Sequence, residues 1–201
     1  MESIGILGGT FNPAHLGHLA LAEHARDELG LAAIWLMPVG APPHKTTGED
    51  PGPEHRLAMC RALVADTDGI CASALEMERA GPSYTVDTLR SIHASHPEAE
   101  LTFIVGADTA ASLESWREPR EILRAAHLAV ASREGVGRAD VLATLERLGG
   151  AREPTFLEMP RVAISSSLVR DRVAAGQAVD AITGQAVARY IREHGLYGAH
   201  A

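Results

Sequence analysis

The stretch Gly8-Gly9-Thr10-Phe11-Asn12-Pro13-Ala14-His15-Leu16-Gly17-His18 decides how this chain is read. Ahead of it, Ile4-Gly5-Ile6-Leu7 is a short apolar run that predicts a buried strand. Behind it, Leu16, Leu19, Ala20, Ala22 and Leu29 alternate with Glu23, His24, Arg26, Asp27 and Glu28 as on an amphipathic helix, and Gly30 supplies a stop. A helix that begins where a strand ends turns unpaired N–H groups and the positive end of its dipole into one space, which suits phosphate. Gly8 and Gly9 carry no side chain, so a phosphate or nucleotide can come close to the backbone there. His15 and His18, three residues apart at the first turn, fall on one face and can reach a single anion.

Other glycine loops do not explain the turn. There is no G-x-G-x-x-G, and a Walker loop needs Gly-Lys-Ser/Thr, whereas the only lysine is Lys45, preceded by His44. Taken alone, a Gly-Gly pair or an H-x-x-H reads as a structural βα turn with two surface histidines. His93 and His96 provide the comparison: the same spacing, at the polar end of a predicted helix just before Pro97 with no glycine turn in front, reads as solvent-facing.

At 201 residues the chain suits one domain with one sizeable core. With 26 acidic against 18 basic residues and a net charge of −8, the surface is unsuited to general nucleic-acid or anionic-membrane binding, so a phosphate site must be a local basic pocket. Cys60 and Cys71 form no C-x-x-C pair or disulfide framework and read as two small core residues in a reducing compartment. The first residues run straight into a strand without a basic and apolar leader, and no apolar run reaches bilayer length, so a cytoplasmic protein is expected. Self-association is left open.

Further along, Ala33-Ile34-Trp35-Leu36-Met37-Pro38 predicts a second strand parallel to the first. Val39 to Pro53 is rich in proline and glycine and reads as a long loop, a kind usually functional or disordered. Helices are predicted from Glu54 to Ala65, with Arg56 and Arg61 off its apolar face, from Ser83 as N-cap to about Ser95, from Arg138 to Leu148, and from Val179 to His194. Strands are predicted at Ile70 to Ala74, Leu101 to Val105, His127 to Ala131 and Phe156 to Met159. Leu101-Thr102-Phe103-Ile104-Val105 ends in Gly106-Ala107-Asp108, a glycine and a carboxylate where open α/β sheets bind ligands. Ser165-Ser166-Ser167-Leu168-Val169-Arg170 puts hydroxyls at a helix start and an arginine one turn inside, a cap alone or, paired with the first motif, a second anion cradle. The expected architecture is a single α/β domain, a doubly wound Rossmann-like parallel sheet with helices on both faces and a small helical portion from about residue 165.

Gly8 to His18 resembles the G-[GST]-F-[DN]-P-x-H-x-G-H signature of the nucleotidyltransferases. Pro42-Pro43-His44-Lys45, Ser83-Tyr84-Thr85, Gly106-Ala107-Asp108 through Leu113 to Trp116, the turn at Arg133 and Ile164-Ser165-Ser166-Ser167 through Arg170 are similar, in the same order, to motifs of the nicotinate-nucleotide adenylyltransferases. The resemblance, which runs from Gly5 to Tyr197, implies adenylyl transfer from ATP to nicotinate mononucleotide, giving deamido-NAD and pyrophosphate. It implies that His15, His18 and Arg170 are catalytic, and that Gly8, Gly9, Thr10, Phe11, Ser165, Ser166 and Arg133 bind ATP. Lys45, Tyr84, Thr85, Gly106, Asp108, Trp116 and Arg117 would bind the pyridine nucleotide, with Thr85 at the pyridine-carboxylate pocket and Trp116 stacked on the ring. Mg²⁺ would be carried by the ATP phosphates rather than by a protein cage. Arg117 departs from the aromatic or apolar residue common after this tryptophan. Two alternatives stand beside this reading: a phosphopantetheine adenylyltransferase, which shares the first motif, and a non-catalytic nucleotide-binding regulatory module. A tRNA synthetase is excluded by the lack of a K-M-S-K-S loop.

Overall fold

In the computed structural model, which describes residues 2–42, 49–131, 137–149, 152–158 and 163–199, strand β1 (Ser3–Gly9) lies near the centre of a parallel sheet. Its neighbours are β2 (Ala33–Pro38) and β4 (Glu100–Gly106), and the full order is β3-β2-β1-β4-β5-β6, with β3 at Ile70–Ala72, β5 at His127–Ala131 and β6 at Thr155–Leu157. The pairing is in register from Ile4 opposite Ala33 and from Ser3 opposite Glu100. Helices α1 (Leu16–Leu29), α2 (Pro53–Val64) and α3 (Thr85–Ser95) come first, then α4 (Ala107–Ala111), α5 (Pro119–Ala125) and α6 (Arg138–Arg147). They are followed by α7 (Ser166–Ala174), α8 (Asp180–Thr183) and α9 (Gln185–Glu193).

Alternation along the strands builds two cores, one on each face. Ile4 and Ile6 of β1, Leu101, Phe103 and Val105 of β4, and Leu128 and Val130 of β5 pack with α3, α5 and α6 residues such as Leu89, Ile122 and Val141. Leu7, Ile34, Leu36, Ile104 and Ala129 pack on the other face with Ala22, Met59, Val169 and Ile191. Strands buried on both faces are apolar throughout, as in doubly wound folds. The chain moves from β1 outward to β3 and then returns to β4 on the other side of β1. The crevice beyond the carboxyl ends of β1 and β4 is therefore the topological switch point, where such sheets bind ligands.

Several elements depart from the sequence reading. Val179 to His194 is two helices rather than one, because Gly184 adopts φ 82, ψ 154, outside the helical region. Ser83 does not cap α3: Tyr84 stands at the cap, and the Ser83 hydroxyl accepts instead from Ala41 N–H at 3.2 Å. Cys60 is buried, and that burial raises its thiol pKa, but Cys71 is exposed on β3, a strand at the sheet edge. His93 is exposed as expected, whereas His96 meets the Trp35 ring edge-on at 5.4 Å. Met159 and Val162 lie outside the described residues. Among the described residues no helix is long and apolar enough to cross a membrane.

Candidate active site

A cavity of about 920 Å³ opens at the switch point, lined among others by Gly8, Gly9, Thr10 and His18 from the first motif and by Gly106 and Asp108 from the end of β4. The two histidines are not equivalent. His15 precedes α1 in extended conformation (φ −153), is only 3% exposed and does not line the cavity. Its ring stacks on that of His18 with centroids 3.7 Å apart and planes 23° from parallel. The His15 backbone N–H donates to His18 Nδ1 at 3.2 Å. A ring nitrogen that accepts from an amide carries no proton, so the proton of neutral His18 sits on Nε2, which assigns that atom as donor. The expected pair of imidazoles on one helix face is thus one ring at the cavity with a second stacked behind it. Phe11 is also buried, against His18 at 4.7 Å and in the core, at a left-handed φ of 50. Phe11 is 2% exposed and does not line the cavity.

The opposite wall comes from α3 and the segment between α4 and α5. Tyr84, Thr85, Trp116 and Arg117 all line the cavity. The Trp116 ring leans on Phe103 of β4 edge to face, centroids 6.1 Å apart, leaving it partly open. Arg117 lays its guanidinium over the Tyr84 ring, 4.7 Å from the centroid, with Nη1 3.5 Å from Asp87 Oδ2. Such a cation–π contact fixes the arginine at the rim. Glu76, which is not among the sequence-derived site residues, also lines this cavity; it is 8% exposed and accepts from Thr88 Oγ1 at 2.7 Å. No spacing in the sequence distinguishes it; only the fold brings it there.

Ser165, Ser166 and Arg170 do not line the cavity but grip the first motif from beside it. Ser165 caps α7, its hydroxyl accepting from Leu168 N–H at 3.1 Å. Ser166 Oγ donates to Pro13 O at 2.9 Å, and Arg170 Nη1 donates to Asn12 O at 2.6 Å. Asn12, joined to Pro13 by a cis peptide, gathers two further bonds: Tyr197 Oη donates to its Oδ1 at 2.6 Å, and its Nδ2 donates to Glu49 O at 2.9 Å. Burial, with the nearby Asp50 charge adding to it, pushes the Tyr197 phenol well above its ordinary pKa, so it stays a donor. Asn12 and Tyr197 were absent from the sequence-derived site, since nothing in their local pattern announces a bond between them. Lys45 and Arg133 lie outside the described residues.

Residues 6–172 match the model of the Cytidylyltransferase-like family. A protein of Geobacillus thermodenitrificans named "Probable nicotinate-nucleotide adenylyltransferase" is 39% identical over 99% of this chain and 88% of its own. One of Roseiflexus sp. with the same name is 45% identical over 96% of this chain and 97% of its own. Among solved structures, the fold superposes on Plasmodium falciparum nicotinic acid mononucleotide adenylyltransferase complexed with NaAD with a TM-score of 0.81, at 19% identity, covering 100% of this chain and 99% of that one. A match over most of the chain together with close relatives over nearly its full length places the protein in the cytidylyltransferase-like family, among the nicotinate-nucleotide adenylyltransferases.

Proposed function

We propose that the protein joins ATP to nicotinate mononucleotide, giving deamido-NAD and pyrophosphate, a step of NAD biosynthesis. The observation that carries this is the single cavity in which the glycine turn and His18 face Tyr84, Thr85 and Trp116. One side is built for phosphate and the other for a flat ring. A 5′-phosphate oxygen of the mononucleotide attacks the α-phosphorus of ATP; the new P–O bond forms as the bond to the β-phosphate bridging oxygen breaks, and pyrophosphate leaves. No protein nucleophile is required, because such transfers depend on positioning and on neutralising charge at the phosphate oxygens.

In this reading, Gly8, Gly9, Thr10 and the Phe11 backbone receive the nucleotide, and His18 Nε2–H donates to the α-phosphate as charge builds there. His15 acts through His18, stacked against its ring. Arg170, Ser165 and Ser166 complete the ATP side, with Arg133 and, for the substrate phosphate, Lys45. Tyr84, Thr85, Gly106, Asp108, Trp116 and Arg117 receive the pyridine nucleotide. Among the described residues no three His, Cys, Asp or Glu side chains lie together closely enough to hold a metal ion. Mg²⁺ bound by the ATP phosphates would neutralise charge there.

The test is pyrophosphate release with ATP and Mg²⁺, offered nicotinate mononucleotide, nicotinamide mononucleotide or phosphopantetheine. Strong preference for the first is expected. Turnover of phosphopantetheine alone would overturn the substrate, and release with none of the three would overturn the reaction.

A further inference from the structure

The most deeply buried charge in the described protein belongs to Arg56, on α2. Its side chain is 1% exposed and faces neither solvent nor the cavity. An arginine is retained in such a place only when its donors are satisfied. Here Nη1 donates to Thr10 O at 3.0 Å, Nη2 to Gly40 O at 3.3 Å, and Nε to Asp50 Oδ1 at 3.1 Å. The three acceptors belong to the turn after β1 and to the two flanks of the long loop after β2. One planar fork thus holds together two backbone segments that local sequence would leave independent.

The Thr10 contact has a consequence for the nucleotide. Across a trans peptide the carbonyl and the following N–H point in opposite directions. Holding Thr10 O toward Arg56 therefore turns Phe11 N–H away from Arg56, and Thr10, on the other side of that peptide bond, lines the cavity. Among the described residues neither Thr10 N–H nor Phe11 N–H has a protein acceptor. Phe11 also holds φ at 50, a conformation costly for a residue with a Cβ, which persists only where surroundings impose it. From these contacts we infer that Arg56 is a positioning residue for the nucleotide phosphates: from behind the turn it fixes the Thr10–Phe11 peptide so that its N–H is presented to ATP. The inference rests on the adenylyl-transfer reading for its ligand.

The test compares ATP with adenosine, which has the same base and sugar but no phosphate, as ligands of Arg56→Lys and Asp50→Asn, with melting midpoints measured in parallel. Arg56→Lys keeps the charge but loses the fork. It is expected to weaken ATP binding about tenfold, the worth of one charge-assisted hydrogen bond, while adenosine binding changes less than about twofold on the same scale. Asp50→Asn leaves Arg56 in place but loosens it, and is expected to shift ATP binding in the same direction by less. A purely structural role would weaken both ligands in parallel, and that result, or unchanged ATP binding in a folded Arg56→Lys protein, overturns the inference. Parent protein that binds ATP but releases no pyrophosphate with any acceptor defeats the proposed reaction while leaving the Arg56 result readable. Parent protein that binds no ATP defeats both.

Discussion

The hydrogen bond to His18 fixes which of its ring nitrogens can donate. With Nδ1 accepting from the His15 amide, the proton is committed to Nε2, and the stacked His15 ring limits rotation. His18→Ala removes that donor and is expected to lower kcat about 10²- to 10³-fold, while the dissociation constant of nicotinate mononucleotide, which the proposed function assigns to Tyr84, Thr85 and Trp116, is expected to stay unchanged; steady-state kinetics with equilibrium binding check both. At this scale the sequence was legible where chemistry is local. The Gly-Gly turn with two histidines three apart reads as an anion-site candidate because a buried strand precedes it and a helix follows. It was opaque where the outcome depends on burial: His15 and Phe11 belong to the same motif as His18, yet their side chains pack inward. Spacing alone put both histidines on one face, and their rings do stack there; what it did not show is that His15 is buried and only His18 reaches the cavity.

The loop after β2 is held to the substrate wall at the scale of elements. Ala41 accepts from Ser83 N–H at 2.7 Å and donates to the Ser83 hydroxyl, and at Gly40 a Cβ would stand 2.4 Å from the backbone oxygen of Glu76. Gly40→Ala must move main chain rather than a side-chain tip, and is expected to lower stability by about 1–3 kcal/mol. Because Glu76 and Ser83 line the cavity, the same change is expected to raise KM for the mononucleotide more than for ATP; thermal melts and substrate titrations read the two effects. Strands and helices were legible from periodicity because each face of the sheet has its own apolar set, as with Leu101, Phe103 and Val105 against Ile104. The break between α8 and α9 was not, since a lone glycine in a helical pattern is often tolerated, and only the φ of Gly184 shows that this one is not helical. Ser83 looked like a cap for a similar reason: a hydroxyl before a helix has several acceptors and donors in reach, and Ala41, distant in sequence, takes it.

Across the whole molecule, a pH response is built into the end of the sheet away from the cavity. Far from the cavity, His127 Nε2 bonds Thr155 Oγ1 at 2.8 Å, linking β5 to β6. Burial first, and then the positive Arg152, hold His127 below its ordinary pKa. The unfolded chain therefore binds a proton there that the folded one resists. This stability is intact above the ordinary histidine value of about 6.5 and is lost as pH falls through it toward the depressed folded value. The melting midpoint of the parent is expected to drop between pH 7.5 and 5.5 by more than that of His127→Gln, which can still bond Thr155; calorimetry at the two pH values decides it. The parallel order about β1 was legible from alternating strands and helices, whereas contacts spanning the chain were not. Among the described residues, one such hydrogen bond joins Tyr197 to Asn12, 185 positions apart. During synthesis the glycine turn leaves the ribosome early, but the phenol that steadies its Asn12 emerges only after the six strands and helices α1 to α9 have been made. Chains arrested at Arg192 are thus expected to fold a sheet yet retain ATP poorly, so that premature release yields protein unable to draw on the cell's nucleotide pool.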